Sequence, residues 1–360
     1  MTSASPLYQT YDEIMNQPAA WQETLAELDR QQAPLRSFFQ QHQPDQLLYV
    51  GCGSPYFLAR TASSLSRALT GIESLAHPGS DVWLFSEQTL TGGRSQMMTV
   101  ISRSGETTEL MKAIEVYRAS GGTGVIAVTC YGESTLARSA DLTLAIPAAQ
   151  EIGLAQTRSF TSMLLLTQGL IHALADKPLS PEFRSLPELG RRLIDEHSGF
   201  AQQFGSEMSE RYQRFYFLGG GALYGLACEA MLKMKEMSLS LSEAYHFMEF
   251  RHGPMSMVNP ETLIIGMVSE AAADYETAVL IEMRRRGATV LAITPKRLPD
   301  ESANYQILLP EGLTDLERGA LYLPTLHQII YAHTLRKGLN PDLPNNLTAV
   351  INLDGVHHAP

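Results

Sequence analysis

The feature that most constrains the fold of this chain is an internal repeat. Residues 49–59 (YVGCGSPYFLA) align with residues 217–227 (FLGGGALYGLA), and five of the positions are identical. Two later blocks repeat in the same order and at almost the same spacing: residues 122–129 with 287–294, and residues 139–147 with 302–310. Three ordered blocks with slowly shrinking spacing are typical of a duplicated domain with small deletions, so the sequence predicts two structural copies.

Each copy alternates short apolar runs with amphipathic stretches. The runs end at Gly, Ser or Pro, which is typical of strands that are buried on both faces of a parallel sheet. Between them, stretches such as Thr107–Ala119 and Tyr275–Arg286 have the apolar spacing of helices. The predicted strands are Gln46–Val50, Val82–Phe85, Met97–Ile101, Val125–Thr129, Leu142–Ile146, Phe215–Leu218, Leu263–Val268, Val290–Thr294 and Ile307–Leu309. The sequence therefore predicts an α/β fold with two tandem, doubly wound parallel sheets.

These patterns divide the chain into consecutive parts. Residues 1–45 are predicted to form a polar helical arm, and residues 46–178 the first half-domain. Pro178–Arg191 contains the predicted linker to the second half-domain, residues 192–340. Residues 341–360 form a C-terminal tail, which we expect to lie near the active site.

Composition and charge argue against several classes of protein. A net charge of -11 without a clustered basic face argues against nucleic-acid binding. No apolar stretch reaches the roughly 18 residues that a membrane span needs, and the N-terminus lacks the pattern of a secretory signal. The cysteines form no C-x-x-C pair, which argues against structural zinc and favours a reducing cytoplasm: Cys52, Cys130 and Cys228. We expect a cytoplasmic protein with no metal, no nucleic-acid partner and no membrane partner.

Two turns of the first copy offer a local positive site for an anionic ligand. Gly51–Ser54 closes the first strand, and Ser102–Thr107 follows the strand at Thr99–Ile101. Turns rich in Ser, Gly and Thr at a helix start present backbone N–H groups, hydroxyls and the positive end of the helix dipole to one anion. Arg103 adds a charge that can bind an oxyanion in a forked geometry. The sequence thus predicts a phosphate site at these turns.

Other interpretations of the turns remain open. Ser102 or Ser104 can simply cap a helix whose first turn contains Glu106. A dinucleotide site is a weaker interpretation, because the G-x-G after the first strand lacks its third glycine and no Walker lysine is present. The repeat favours an anion-binding site at the first-copy turns. The second copy has Ser269–Ala273, with a glutamate and three alanines, where the first has its Ser/Thr cluster. A simple helix cap could be kept in both copies, so the difference suggests that one copy binds an anion and the other does not.

The motifs resemble the SIS (sugar isomerase) domain family. They are most similar to the isomerase half of glucosamine-6-phosphate synthase, to amino-sugar-phosphate deaminases and to fructosamine-phosphate deglycases. Five motifs in the family's order carry the resemblance: Cys52-Gly53-Ser54, Ser102-x-Ser104-Gly105-Glu106-Thr107, Glu151-Ile152-Gly153-Leu154-Ala155-x-Thr157, Leu232-Lys233-Met234-Lys235-Glu236 and Glu249-x-x-His252-Gly253-Pro254. The resemblance implies two tandem flavodoxin-like αβα SIS half-domains and a phosphosugar enzyme that needs no cofactor.

The resemblance also implies roles for single residues. Glu236 is similar to the family's base, which moves a proton between C1 and C2 of an open-chain sugar. His252 is similar to the ring-opening residue, which relatives often take from the neighbouring subunit of a homodimer, so that the active site is shared between subunits. Lys233, one helical turn before Glu236, is placed to stabilise a developing oxyanion. The sugar 6-phosphate is expected at the turns of Ser54 and Ser102–Thr107. The expected substrate-binding residues are Cys52, Gly53, Ser54, Ser102, Arg103, Ser104, Thr107 and Gln156.

General chemistry supports these roles. Proton transfer next to a carbonyl or imine needs one carboxylate within hydrogen-bond reach and no redox cofactor. Histidine exchanges protons near neutral pH, which suits ring opening. The alternatives are that Glu236 is an ordinary solvated helix position between two lysines, and that His252 only turns the chain before Gly253-Pro254.

Three departures from the synthase shape the expected reaction. Thr2 stands where the glutaminase has its cysteine nucleophile, so we expect no ammonia from glutamine. The synthase's Schiff-base lysine aligns with Ala349, and Arg103 and Pro55 replace a glutamine and a hydroxyl residue. A substrate that carries its own nitrogen can form an imine without a lysine. We therefore predict a deaminase or deglycase acting on an amino-sugar or ketosamine 6-phosphate; the alternatives are an aldose–ketose isomerase and a non-catalytic sugar-phosphate sensor.

Overall fold

The computed structural model describes residues 8–348, 350 and 353. Their contacts group into two compact units, each built around one sheet. The first-sheet unit contains Ala20–Gln150, Ser159–Ser180, Thr348, Val350 and Leu353. The second-sheet unit contains residues 8–19, Glu151–Arg158 and Pro181–Leu347.

Each unit contains a five-stranded, fully parallel sheet. The strands are β1 Gln46–Gly51, β2 Glu73–Pro78, β3 Gln96–Ser102, β4 Gly124–Thr129, β5 Leu142–Ala145, β6 Arg214–Gly219, β7 Ser242–Tyr245, β8 Thr262–Met267, β9 Thr289–Thr294 and β10 Tyr305–Leu308. The first sheet has the order β2-β1-β3-β4-β5, and the second has the order β7-β6-β8-β9-β10. Both are the flavodoxin-like order, so the prediction of a duplicated, doubly wound α/β fold is confirmed.

Helices connect the strands and cover the sheets. They are α1 Gln9–Met15, α2 Gln17–His42, α3 Ser54–Thr70, α4 Gly79–Leu84, α5 Ser86–Thr89, α6 Thr108–Ala119, α7 Thr135–Ser139, α8 Arg158–Leu174, α9 Pro181–Arg184, α10 Leu186–Arg211, α11 Leu223–Ser238, α12 Phe247–Phe250, α13 Ala273–Arg285 and α14 Pro324–Arg336. Short 3-10 turns lie at Pro147–Ala149, Pro254–Met257 and Arg318–Tyr322. Because every strand connection is a parallel crossover, both faces of each sheet are available for helix packing.

The repeated glycines have the same physical cause in both copies. A Cβ on Gly51 would lie 2.4 Å from the Pro55 carbonyl carbon, and one on Gly219 would lie 2.5 Å from the Leu223 carbonyl oxygen. Gly53 (φ 61°) and Gly221 (φ 52°) have the left-handed backbone that favours glycine. In each copy, therefore, one glycine lets the helix approach the strand end and the next turns the chain into that helix.

The strand prediction was wrong at the second strand of each sheet. Val82–Phe85 was predicted as a strand, but it falls in and just after α4, and the second strand is β2. β7 was not predicted at all. Both are edge strands with mainly half-exposed residues, so they lack the continuous apolar run that marks the central strands. The short apolar run at Val82 is ambiguous between helix and strand by periodicity alone.

The predicted linker, Pro178–Arg191, is largely helical. It contains α9 and the start of α10, whose first turn includes Pro187, a favourable position for proline. The predicted half-domains, residues 46–178 and 192–340, each contain one sheet, but residues 8–19 group with the second sheet and the rest of the helical arm with the first. The precise domain boundaries stay a prediction.

Candidate functional site

The two predicted phosphate turns leave the same edge of the first sheet. β1 and β3 are neighbouring parallel strands, with Val50 paired to Val100. Because parallel strands end at one edge, residues 51–54 and 102–107 both lie beyond carboxyl ends there. Each turn leads into a helix, α3 or α6, so two helix N-termini are at this edge. Helix N-termini carry the positive end of the helix dipole, which suits an anion.

The serines of the second turn are bonded within the turn. The Gly105 N–H donates to Ser102 Oγ at 3.0 Å, and the Glu106 N–H donates to Ser104 Oγ at 3.2 Å. A hydroxyl that accepts such a bond can still donate its own proton. The N-cap of α6 is Thr107, which makes no side-chain cap hydrogen bond. Capping of α6 by Ser102 or Ser104 therefore does not describe this turn.

Gly105 and Glu106 hold the turn against α7. Gly105 has a φ of 68°, and a Cβ there would lie 2.1 Å from Ser134 Oγ. Its carbonyl accepts from the Leu136 N–H at 2.9 Å. The Glu106 carboxylate accepts from the N–H and Oγ1 of Thr135 at 2.8 and 2.7 Å. The turn is thus fixed in shape before any ligand binds, which lowers the cost of ordering it on binding.

The first turn brings Cys52, Gly53 and Ser54 to the same edge. Burial, followed by the charge of Glu109, raises the pKa of the Cys52 thiol to about 12, although a backbone hydrogen bond from Gly79 opposes this. The thiol is therefore protonated near neutral pH and does not act as a nucleophile. Ser54 is buried at the start of α3.

Arg103 belongs to the second of these turns and is buried. Its backbone carbonyl accepts from the Cys130 N–H at 3.1 Å and from Thr129 Oγ1 at 3.2 Å, so its position on the sheet edge is fixed. The predicted set in the first-sheet unit is thus assembled at one edge: Cys52, Gly53, Ser54, Ser102, Arg103, Ser104 and Thr107.

The predicted acid–base residues lie on α11 of the second-sheet unit. Lys233 forms an ion pair with Glu236, and its Nζ lies 3.4 Å from Glu229 Oε1. The side chains of Glu229 and Lys233 are 0% and 1% exposed, whereas that of Glu236 is 19% exposed. One buried ammonium therefore lies between a carboxylate in the core and a carboxylate that a ligand can reach.

Two residues near this group were missed by the sequence reasoning. Glu229 precedes Lys233 by one helical turn, so helix spacing could have identified it. His327 on α14 is fully buried, and both of its ring nitrogens have no hydrogen-bond partner among the described residues. Burial, followed by the charge of Lys233, lowers the pKa of His327 to about 3. No local pattern in the sequence identifies it, because its proximity to Lys233 arises only from packing of α14 on α11.

His252 lies on an exposed turn between α12 and the 3-10 turn at Pro254–Met257. Its backbone N–H donates to the Glu249 carbonyl at 3.0 Å, and Gly253 follows with a φ of 122°. Within residues 8–348 its imidazole has no hydrogen-bond partner. The ring is accordingly available to a ligand or to another chain. The backbone of His252 also has the turn geometry that is expected if the residue only turns the chain before Gly253-Pro254.

Gln156 lies in the segment 151–157 of the second-sheet unit. The N–H and Oγ1 of Thr157 both donate to Glu151 Oε1 at 2.8 Å, and the Gly153 N–H donates to Glu13 Oε1 at 3.1 Å. Burial, followed by the charge of Glu151, raises the pKa of Glu13. The Oε1 of Gln156 is buried and has no hydrogen-bond partner in the described part of the chain. The segment is thus firmly held, and Gln156 carries polar capacity that a ligand can satisfy.

The predicted site residues divide between the units. The phosphate turns belong to the first-sheet unit, whereas Lys233, Glu236, His252 and Gln156 belong to the second-sheet unit. Among the described residues no cluster of three or more His, Cys, Asp or Glu side chains could hold a metal ion. None of the helices described here is both long and apolar enough to cross a membrane.

Comparison with known proteins finds one matching family. The family model described as the SIS domain matches residues 41–173 and 209–307. The chain is 31% identical over 357 residues to the isomerizing glutamine–fructose-6-phosphate aminotransferase of Aeropyrum pernix, over 95% of this chain and 57% of that protein. It is 30% identical over 274 residues to the protein of the same name from Pyrobaculum aerophilum, over 72% of this chain and 44% of that protein. The chain spans about half the length of the curated relatives it matches.

Solved structures share the whole fold. The crystal structure of glucosamine-6-phosphate deaminase from Thermotoga maritima has a TM-score of 0.72 and 27% identity, covering 91% of this chain and 100% of that one. The crystal structure of tagatose-6-phosphate ketose/aldose isomerase from Escherichia coli has a TM-score of 0.86 and 24% identity, covering 96% of this chain and 98% of that one. At that identity the second likeness concerns the fold alone.

Proposed function

The chain belongs to the SIS domain family, and from that premise we propose that it is a sugar-phosphate enzyme: a deaminase or deglycase that releases ammonia or an amine from an amino-sugar or ketosamine 6-phosphate. The observation that carries the proposal is the ion pair of Lys233 and Glu236 on α11. Proton transfer between neighbouring carbons needs a carboxylate that the substrate can reach, and Glu236 is partly exposed. A cation beside it stabilises the negative charge that develops on the substrate oxygen, and Lys233 is that cation.

The first-sheet turns support the phosphate part of the proposal. They present hydroxyls and two helix N-termini at one sheet edge, and the second turn contains the buried Arg103. We assign the 6-phosphate to this set of residues. Gln156 is assigned to the substrate because its buried carbonyl oxygen has no partner among the described residues.

The proposed reaction needs only proton transfers and water. With an open-chain 2-amino aldose, Glu236 removes the proton from C2 and returns a proton to C1, which converts the C2 amine into an imine. Water then adds to the imine and ammonia leaves, so that amino sugar phosphate plus water becomes ketose phosphate plus ammonia. With a 1-amino ketose the proton moves from C1 to C2, and water releases the amine and an aldose phosphate.

Two observations favour amine release over other reactions of such a site. The sequence has Ala349 where the synthase has its Schiff-base lysine; this position lies outside the described residues. The Thermotoga maritima protein, named as a glucosamine-6-phosphate deaminase, is similar in sequence and fold along nearly the whole chain. Plain aldose–ketose isomerisation is the second candidate, because Glu236 can perform the same proton shift on a substrate without nitrogen.

Product analysis distinguishes these reactions. The protein is incubated with glucosamine 6-phosphate, with a fructosamine 6-phosphate and with fructose 6-phosphate, and released ammonia, amine and sugar phosphate are measured. We expect stoichiometric amine and sugar phosphate from one of the first two substrates, and no turnover of unphosphorylated glucosamine. Isomerisation of the plain ketose phosphate without turnover of either amino substrate would contradict the deaminase assignment.

A variant separates catalysis from binding. Glu236→Gln keeps the size of the side chain but cannot accept the proton, so turnover should fall by about 10²–10⁴-fold while sugar-phosphate binding persists. Glu196→Gln, at an exposed position of α10, is the matched control and should leave turnover unchanged. Full activity of Glu236→Gln would remove this residue from the mechanism. The ring-opening role of His252, a homodimer with a shared active site, a cytoplasmic location and a tail near the active site stay predictions.

A further inference from the structure

The second sheet contains a turn that is equivalent to the 102–107 turn. Residues 269–273 follow β8, the third strand of the second copy, just as residues 102–107 follow β3, the third strand of the first. In the first turn, Ser102 Oγ accepts from the N–H three residues later, at Gly105. In the second, Ser269 Oγ accepts from the N–H three residues later, at Ala272, at 3.1 Å. The two turns therefore share their internal hydrogen bond, and each leads to a helix N-terminus.

The second turn already holds a carboxylate on its backbone. The Glu270 N–H donates to Oδ1 and Oδ2 of Asp315 at 3.0 and 2.9 Å. The Ala271 N–H donates to Asp315 Oδ2 at 3.0 Å. Successive N–H groups that converge on one anion before a helix are the arrangement by which proteins bind phosphate. Here the bound anion is a side chain of the chain itself.

A second carboxylate, that of Glu276, accepts hydrogen bonds from Ser269. The N–H and Oγ of Ser269 both donate to Glu276 Oε2, at 2.7 and 2.9 Å. Burial raises the pKa of Glu276, hydrogen bonds from Ser269 oppose this, and the charge of Asp315 adds to it. The hydroxyl proton of Ser269, which a phosphate oxygen would otherwise accept, is thus used inside the protein.

The cations of an anion site are present as well. Arg318 is 2% exposed, and its Nη2 donates to Glu270 Oε2 at 2.7 Å. Lys296 Nζ lies 2.9 Å from Glu270 Oε1. The Nη1 of Arg318 is buried and has no hydrogen-bond partner among the described residues. A buried guanidinium with an unused donor beside a helix N-terminus is a feature of an oxyanion site rather than of an ordinary turn.

We propose that residues 269–273 form a second anion cradle, equivalent to the predicted phosphate cradle of the first sheet, in which the carboxylates of Asp315 and Glu276 occupy the place of a phosphate. The wild-type second-sheet unit consequently binds no phosphate at this turn. Removal of Asp315 opens a site for inorganic phosphate. This proposal goes beyond the proposed function and does not depend on it, because its test counts bound phosphate and requires no turnover.

The test compares phosphate binding by wild type and Asp315→Ala in the full chain. Equilibrium dialysis with inorganic phosphate, in chloride buffers of matched ionic strength, gives the number of bound ions per chain. We expect one more phosphate per chain in Asp315→Ala than in wild type, whatever number the wild type binds. Asp195→Ala, at an exposed position of α10, is the control and should bind the wild-type number. Equal numbers for wild type and Asp315→Ala would overturn the proposal.

Thermal unfolding gives an independent readout. In phosphate-free buffer Asp315→Ala should unfold at a lower temperature than wild type, because two backbone N–H groups lose their acceptor. Phosphate should then raise its midpoint by about 3 °C more than that of wild type. If Asp315→Ala does not fold, Asp315→Ser serves, since its shorter and uncharged side chain also vacates the place of the carboxylate. A folded variant whose midpoint responds to phosphate no more than wild type also overturns the proposal.

Discussion

Lys233 and Glu236 form an ion pair across one turn of α11, with Lys233 buried and Glu236 partly exposed. On its other side, Lys233 lies 3.4 Å from the fully buried carboxylate of Glu229. The position of the Glu236 carboxylate therefore depends on the Lys233 ammonium, which also balances the charge of Glu229 in the core. Stability and the proposed chemistry are therefore coupled at this residue.

Replacing Lys233 by methionine should destabilise the protein strongly. Lys233→Met keeps the length of the side chain but leaves the Glu229 carboxylate buried beside an apolar group, which typically costs about 3–5 kcal/mol. Urea unfolding measures this. The double variant Lys233→Met with Glu229→Gln should recover most of the loss, because neither of these two positions then carries a buried charge.

The matched control for Lys233 is on the same helix. Lys235 is exposed, so Lys235→Met should change the free energy of unfolding by no more than about 0.5 kcal/mol. If Lys233→Met and Lys235→Met had equal effects, Lys233 would not be balancing a buried carboxylate.

Features set by local backbone geometry were predictable from the sequence. The paired glycines, Gly51 with Gly219 and Gly53 with Gly221, mark strand-to-helix turns because the close approach leaves no room for a Cβ and the left-handed backbone favours glycine. The duplication and the strand-to-helix turn after the first strand of each copy followed from them. The central strands were also predictable, because burial on both faces favours a nearly continuous apolar run.

Features set by tertiary packing were not predictable. The edge strands β2 and β7 lack an apolar run, since one side of each has no neighbouring strand and most of their residues are half-exposed. His327 comes close to Lys233 only when α14 packs on α11. The carboxylate of Asp315 reaches the turn after β8 from a distant loop, so no local pattern in the sequence reveals that this turn holds a side-chain carboxylate.

Removing the hydroxyl of Ser104 should weaken binding of the sugar phosphate. Its Oγ accepts from the Glu106 N–H and, in the proposed site, donates to a phosphate oxygen. A hydrogen bond to a charged group contributes about 1.5–3 kcal/mol, so Ser104→Ala should raise KM for the phosphorylated substrate about ten-fold or more. The value of kcat should change less, because phosphate binding is common to ground state and transition state.

Ser120→Ala is the control for this serine. Ser120 is the C-cap of α6, the helix that follows the turn of Ser104. It is exposed, and its Oγ donates to the Val116 carbonyl at 2.9 Å. Its KM should equal that of wild type. An unchanged KM in Ser104→Ala would place the phosphate elsewhere.

Gly105 should tolerate no side chain. In Gly105→Ala the Cβ would lie 2.1 Å from Ser134 Oγ and the backbone would keep a φ of 68°, so we expect a loss of at least about 2 kcal/mol in the free energy of unfolding. Adding Ser134→Gly removes the overlap and should restore part of the loss, leaving the backbone cost. Gly92→Ala, where no atom lies within 4 Å of the added Cβ, should be nearly neutral. Chemical denaturation of the three variants tests this, and equal stability of Gly105→Ala and Gly92→Ala would contradict it.

His327 should make the protein less stable as the pH falls below the ordinary histidine range. Burial, followed by the charge of Lys233, lowers its folded-state pKa to about 3, whereas the unfolded chain has the ordinary value of 6.5. Above pH 6.5 both states are neutral at this ring, so it contributes no pH dependence. Below pH 6.5 the unfolded chain binds a proton at this ring and the folded protein does not. The free energy of unfolding therefore falls by about 1.4 kcal/mol per pH unit because of this group. The fall ends near pH 3, where the folded state also binds the proton.

His327→Gln removes this titration. The quantity to compare is the change in the free energy of unfolding with pH, not the free energy at one pH. Urea unfolding of wild type and variant is measured at about pH 8, where the ring is neutral in both states, and again at about pH 5.5. The variant can be less stable at the higher pH because its packing changes, but its free energy of unfolding should fall less steeply towards the lower pH. Groups such as Glu13 and Glu276, whose pKa values are raised, titrate equally in both proteins and cancel in the comparison. Equal slopes would mean that His327 takes up its proton in the folded protein, which its burial beside Lys233 opposes.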